Sequence, residues 1–427
     1  MTPKASDLVH DWNAPPSDPA RPIEVLDDTM RDGLQSPSAQ DPGLDDKKRF
    51  FELADAIGID AVVLGLPGAG PRVLDAVADL ARYIAASGLS VAPVSAVRTH
   101  DNDITAHLEA AQRAGTEISA GMFLGSSPIR LFAESWQMAD LVALTEKSVR
   151  ACTQNGSPVM FITEDTTRSR PQDLRALYLA ALDQGANRIC IADTCGHADP
   201  GGAAAVVSFV RALIADNGYD ARIDWHGHND RGLALANALA AIEAGANRIH
   251  ATGLGLGERT GNTAMDQILV NLQLKGQMPA RTLGRLPDYC AMVETICGAP
   301  RPYNYPVVGS DAFRTATGVH AAAIIKLLDR GETALADRVY SSVPAGMIGL
   351  EQVIEVGPMS GGSNVRHWLA RHFPELDADQ RDRSIAAILA EAKTCRRVMS
   401  DAALSAIVAA QLGAQGRTQP EPEANLT

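Results

Sequence analysis

From residue 22 onward, short apolar runs alternate with longer stretches in which apolar residues recur at helical spacing. The runs are 23–26, 59–64, 89–94, 118–123, 159–162, 188–192, 222–226 and 248–252. Runs of this length, bounded by turn residues, predict buried strands. The stretches 45–57, 73–86, 104–114, 141–152, 173–184, 204–216, 233–244 and 264–274 predict amphipathic helices; the first places Phe50, Phe51, Leu53, Ala54 and Ile57 on one face. Glycine follows most of these helices, as at Gly58 and Gly115, where a left-handed cap ends the helix. A strand–helix repeat of this count within about 250 residues predicts a (β/α)8 TIM barrel. An internal echo, Gly185–Ile189 against Gly245–Ile249, supports it. The competing open, doubly wound sheet would need a glycine-rich phosphate turn after an early strand, and Gly65–Gly70 is interrupted by Pro67.

The rhythm changes after residue 285. Helices are predicted at 290–297, 321–328, 381–393 and 402–412, with a loop at 358–363. The predicted organisation is therefore a flexible, proline-rich leader (1–21), a barrel (22–285), an appended helical region (286–412) and a disordered polar tail (413–427).

Composition narrows the class. With 46% apolar residues a large core is available, and 51 acidic against 38 basic residues give a net charge of −13. That balance speaks against nonspecific binding to nucleic acid or an anionic membrane. No apolar run reaches the roughly 18 residues of a membrane helix, and the first 22 residues have no secretory core. Six cysteines without a CxxC pair fit reduced thiols and a cytoplasmic protein.

The chemistry is concentrated in Ile223–Asp230. Residues two apart in a strand share a face, so His226 and His228 can grip one ion. Active sites in such barrels lie at the C-terminal strand ends. Asp32 follows the first strand, the histidines end the seventh, and Asn262 follows the eighth. These strands are neighbours once a barrel closes, so the four side chains are expected to converge on one ion. A mixture of carboxylate, imidazole and amide suits Mg, Mn, Zn or Co with open positions. A 2-oxo acid can chelate such an ion, which then polarises its carbonyl.

Three motifs give the sequence its resemblance to the DRE-TIM metallolyase superfamily, within it the synthases of 2-isopropylmalate, homocitrate and citramalate. They are Asp28–Pro37 (DTMRDGLQSP), Gly227–Ala234 (GHNDRGLA) and Gly255–Asn262 (GLGERTGN). The resemblance spans roughly residues 23–365. It implies Asp32, His226 and His228 as metal ligands, with Asn262 ligating or bordering the ion. It implies Arg31 beside the metal, stabilising the developing oxyanion. Arg98 corresponds to a carboxylate-binding arginine, the alternative being a surface ion pair, and Thr194 to a hydroxyl on the substrate carboxylate. Glu164, and His320 outside the barrel, are the candidates for removing the acetyl-CoA methyl proton, with Tyr340 as an accompanying phenol. The implied reaction is condensation of acetyl-CoA with a 2-oxo acid by a homodimer in amino-acid biosynthesis. Two alternatives stand: a 3-hydroxyacyl-CoA lyase of the same superfamily, and an inactive barrel serving as a binding partner.

Departures from the family pattern concern the acceptor. Val63 stands where Glu is usual, Leu34 follows Arg-Asp-Gly, Thr315 replaces a His, and Gly357–Gly361 departs from Gly-Lys-x-Ser-Gly. Arg130 occupies a usual His position, and is expected either to select an acceptor with an extra anionic group or to form a structural ion pair. The loop after the eighth strand lacks the Cys of the lyases, which favours condensation. No leucine-sensing domain is apparent, so undiminished activity in added leucine is expected.

Overall fold

A computed structural model describes residues 8–13, 21–278 and 282–413. Much of the 1–21 leader and all of the tail beyond Gly413 lie outside the described residues. The chain divides into two compact units, one holding Asn13–Pro302 and Pro306–Val308, the other chiefly the residues from Gly309 onward.

The first unit is a closed barrel of eight parallel strands in sequential order. They are β1 (Glu24–Asp27), β2 (Ala61–Val63), β3 (Ala92–Arg98), β4 (Ser119–Gly125), β5 (Val159–Glu164), β6 (Arg188–Asp193), β7 (Arg222–Gly227) and β8 (Arg248–Ala251). The β1–β8 pairing, Glu24 opposite Arg248 through Asp27 opposite Ala251, closes the cylinder. Each predicted strand overlaps its observed one. The third sits later than the 89–94 run because the strand proper, APVSAVR, carries few large apolar residues. The helices between strands bury their apolar stripe, as Leu44–Ala56 does with Phe50, Phe51 and Ala54.

The barrel unit runs past the boundary drawn at 285. The helix Leu286–Cys297 belongs to it, with Tyr289 and Val293 buried. Tyr289 donates a hydrogen bond to Asp27 at the end of β1, and its ring packs on Phe50 at 5.1 Å.

The barrel interior is not uniform. Leu26, Ala61, Val63, Val94, Met160 and Cys190 form an apolar cluster. Against it lies an ionic set, with Arg248 3.2 Å from Met160 Sδ and His250 3.9 Å from Cys190 Sγ. Asp224 of β7 accepts from Arg188 (2.7 Å), Arg248 (2.6 Å) and His250 (3.0 Å), and Arg188 also pairs with Glu24. A buried carboxylate with three partners is satisfied, whereas removal of any one would strand the others.

The second unit is mostly helical, with Gly318–Leu328, Gly362–His372, Ala378–Thr394 and Asp401–Gly413 and a two-stranded parallel ladder of Arg314–Thr315 and Val353–Ile354. Val365, Trp368, Leu369, Ile385, Ile388 and Val408 are in its core. The helix Gly362–His372 begins inside the segment expected to be a loop. No helix among the described residues is long and apolar enough to cross a membrane.

Candidate metal centre and active site

At the C-terminal end of the barrel a cavity of about 270 Å³ is lined by Asp28, Arg31, Asp32, Glu164, Thr194, His226, His228, His250 and Glu258 together with an apolar wall. Alternation along β7, continued one residue past its end, turns Asp224, His226 and His228 inward in succession. Asp32 arrives from the tight turn after β1, where the Asp32 and Gly33 amides both donate to the carbonyl of Asp28.

Asp32 Oδ2 lies 3.1 Å from His226 Nε2 and 3.7 Å from His228 Nε2, and the two Nε2 atoms are 3.3 Å apart. Ligands held about 2.1 Å from one divalent ion at 90–109° to each other are roughly 3.0–3.4 Å apart; the 3.1 and 3.3 Å separations fall in that range and the 3.7 Å one is slightly wider, so the three atoms can share an ion with a small adjustment of His228. Two buried oxygens without a hydrogen-bond partner, Asp32 Oδ1 and Asn262 Oδ1, add to the fit. The metal-ligand types forecast from sequence are therefore compatible with the geometry for three residues. Asn262 pairs with His228 in an antiparallel bridge and its amide donates to the Leu256 carbonyl at 3.2 Å. It is not among the cavity-lining residues.

The charges follow from this packing. Burial alone would raise the Asp32 carboxyl, but Arg31 and the two imidazoles outweigh it and hold it well below the usual carboxylate range. Asp28 is driven up, by burial and by Asp32, with Arg31 opposing. Burial, reinforced by His226, pushes His228 down to about 4, so it is neutral and ready to ligate at neutral pH. Arg31 is held by Asp28 through two hydrogen bonds, that from Nε being 2.9 Å, and lies 3.6 Å from Asp32.

A second donor set, Asp28, His226 and His250, lies within 4.8 Å. Sequence reasoning missed it, although Arg248 and His250 stand two apart on β8, and that spacing alone points both inward. Its members are already committed, Asp28 to Arg31 and His250 to Asp224.

Among the remaining expected site residues, Glu164 and Thr194 line the cavity. Burial raises the Glu164 carboxyl, with Arg130 opposing and Asp165, Glu258 and Glu134 adding to the rise. Thr194 Oγ1 accepts from the Asp165 amide at 2.8 Å, leaving its own proton free to donate. Arg98 does not line the cavity; its fork grips Asp103 through two 2.8 Å bonds. Arg130 is also outside the lining, 2.8 Å from Glu134 and 3.5 Å from Glu164. His320 lies in the second unit, stacked on Tyr340 at 4.0 Å between ring centroids.

The loop carrying Glu258 and Asn262 is built on glycine. A Cβ at Gly261 (φ +86°) would collide with the Gly255 carbonyl oxygen. Arg259 (φ +57°) pins the loop to Asp230 at 2.8 Å and to the Thr194 carbonyl. Gly261→Ala is expected to cost about 2 kcal/mol or more, read as a lower urea midpoint at unchanged slope; an unshifted midpoint would show that the loop gives way freely.

Comparison with known sequences settles the lineage. The HMGL-like family matches residues 22–293. The chain belongs to the HMGL-like family. Among its relatives, a putative (R)-citramalate synthase of Methanopyrus kandleri is 30% identical over 367 residues, covering 85% of this chain and 68% of the relative. A 2-isopropylmalate synthase of Acidimicrobium ferrooxidans is 31% identical over 403 residues, 92% of this chain and 73% of the relative. A solved hydroxymethylglutaryl-CoA lyase from Pseudomonas aeruginosa shares the barrel fold at a TM-score of 0.55 and 18% identity, covering 68% of this chain and 97% of that one.

Proposed function

We propose that this chain is an acyltransferase that condenses acetyl-CoA with a 2-oxo acid and hydrolyses the thioester, releasing a 2-substituted malate and CoA. The observation that carries the reading is the meeting of Asp32 Oδ2 with two imidazole nitrogens in the cavity at the C-terminal end of the barrel. The synthase names of relatives that align over most of the chain support the choice of reaction.

Asp32, His226 and His228 would hold a divalent ion, with Zn, Mn, Mg and Co as candidates. When bound, the ion supplies Lewis-acid polarisation of the acceptor's keto group. Arg31 is held rigid by Asp28 and offers its guanidinium to the negative charge that develops on the keto oxygen as the new carbon–carbon bond forms. Thr194 donates a hydrogen bond from its hydroxyl to the acceptor's carboxylate. Glu164, its basicity raised by burial, takes a methyl proton from acetyl-CoA. His320, with Tyr340 stacked on its ring, is the other candidate for that step. Water then attacks the thioester carbonyl and the CoA thiol leaves. The reading includes a second copy of the chain as partner and a cytoplasmic place in amino-acid biosynthesis, both carried over from the resemblance to the synthases.

The test is CoA-thiol release from acetyl-CoA with a panel of 2-oxo acids, with and without chelator. Turnover on at least one acid, lost with chelator and restored by a divalent ion, is expected. Cleavage of a 3-hydroxyacyl-CoA without any condensation would replace this reading with the lyase, and no turnover in either direction would replace it with a binding role.

A further inference from the structure

We propose that Arg259 is a positioning residue. It clamps the loops after β6, β7 and β8 into one frame and so holds the Thr194 hydroxyl where the acceptor's carboxylate binds. The kinetic part rests on the condensation reading above; the clamp itself rests on geometry alone.

Arg259 is an exposed arginine in the left-handed backbone region, at φ +57°. Glycine takes that conformation freely, whereas a residue with a Cβ keeps it only where its surroundings compensate. The other positive-φ positions of this loop, 255, 257 and 261, are all glycine. Position 259 is the exception, and its side chain supplies the reason. Nε donates to Asp230 Oδ1 at 2.8 Å, and Nη2 donates to Asp230 Oδ2 at 3.1 Å and to the Thr194 carbonyl at 2.5 Å. Nη1 donates to Glu258 Oε2 at 3.1 Å. All three guanidinium nitrogens are engaged, so the group ties loops together rather than offering a free cation to an anionic substrate. A planar fork can hold a carboxylate and a carbonyl from two loops at once, which a lysine ammonium, a point charge, does not reproduce.

The tie ends on residues of the cavity. Thr194 lines it, and so does Glu258, the chain neighbour of Arg259. Thr194 Oγ1 also receives the Asp165 amide at 2.8 Å, and Asp165 is itself left-handed, at φ +61°, directly after Glu164. The histidines are fixed by other bonds. The His228 amide donates to the Asp193 carbonyl at 3.2 Å, and the Asn229 amide to the Gly261 carbonyl at 2.8 Å. Loss of the Arg259 side chain therefore loosens Thr194 before it disturbs His228.

Arg259→Gly suits the backbone and removes every side-chain bond, so it separates the clamp from the turn. Thiol release by the full chain with added divalent ion gives kcat and both KM values. The KM for the 2-oxo acid is expected to rise at least about tenfold with kcat within about threefold, since a hydroxyl that binds ground and transition states alike acts on KM. Arg259→Gly/Thr194→Val should match the acceptor KM of Thr194→Val within about twofold, because both changes act through one contact. A lower kcat at unchanged KM, which is what a smaller folded fraction would give, overturns the proposal. So do additive effects, or a KM rise confined to acetyl-CoA. Amide hydrogen exchange on the same proteins reads the clamp directly. Exchange at Asp165 is expected to quicken at least about tenfold in Arg259→Gly, with His228 unchanged; unaltered exchange at Asp165 overturns the clamp. If the wild type turns over no acceptor, the condensation reading falls and exchange alone decides the clamp. If Arg259→Gly does not fold, Arg259→Lys, which keeps the charge and loses the fork, takes its place: a raised acceptor KM and faster Asp165 exchange support the proposal, and wild-type values overturn it.

Discussion

Asp32→Ala is expected to lower turnover at saturating 2-oxo acid by roughly a thousandfold or more, and to drop bound divalent metal from about one ion per chain to near none. The reasoning starts from position. Asp32 is almost fully buried, and its Oδ2 is the point from which both histidine Nε2 atoms are within 3.7 Å. Without it two imidazoles remain, and a bidentate site holds a divalent ion far less tightly than a tridentate one. Arg31 also loses the second of its two acidic neighbours, which leaves its cation held by Asp28 alone. Metal analysis and thiol release on the same preparation check both parts. A variant that keeps its metal and its rate would remove Asp32 from the site.

The second large effect is on stability toward acid. His107 is buried between Ser95 Oγ and Ser157 Oγ, each 2.7 Å away, and burial pushes its imidazole down to about 4. His250 is likewise pushed down to about 4 by burial, with Asp224 opposing. In the folded protein both stay neutral, whereas in the unfolded chain both take up a proton below about pH 6.5. The unfolded state therefore binds more protons between 6.5 and 4, so stability is full above 6.5 and is lost as pH falls through that window. At pH 5 each histidine costs about 2 kcal/mol relative to pH 7.5, and the pair about 4 kcal/mol. His228, also pushed down to about 4, adds to the loss, and Asp27, pushed up to about 6 by burial, opposes it, so urea unfolding at the two pH values is compared between wild type and single-histidine variants. His107→Gln should flatten the dependence by about 2 kcal/mol, whatever it costs at neutral pH. An unaltered slope would mean that His107 does not stay neutral in the fold.

Much of this molecule was legible in its sequence because two periods, 2 and 3.6, alternate cleanly through residues 23–274. The HxH pair and Asp32 could be brought to one end of the barrel from sequence because strand alternation is a local rule and an eightfold strand–helix repeat implies that β1 closes on β8. Other features depend on what is not local. The ion pairs of Arg98 with Asp103 and of Arg130 with Glu134 are close in sequence, the second at i,i+4 on one helix, and what sequence lacked was the shape of the cavity that both arginines stay outside. The helix Gly362–His372 was hidden by its own opening residues, Gly-Gly-Ser, which read as a turn; burial of Val365, Trp368 and Leu369 outweighs that weak start. The helix Leu286–Cys297 follows a break in rhythm, yet Tyr289 and Val293 tie it to the barrel. The mixed barrel interior was invisible because its apolar cluster is assembled from one or two residues on each of several strands.

The pairing of β1 with β8 gives the chain a schedule. Asp32 leaves the ribosome early, and His226 and His228 emerge only after seven strands have been made. Until β8 arrives to seal the seam, the three donors have no common centre. Uptake of an ion by these three residues would therefore report completion of the cylinder, since a nascent or truncated chain would offer it only scattered ligands.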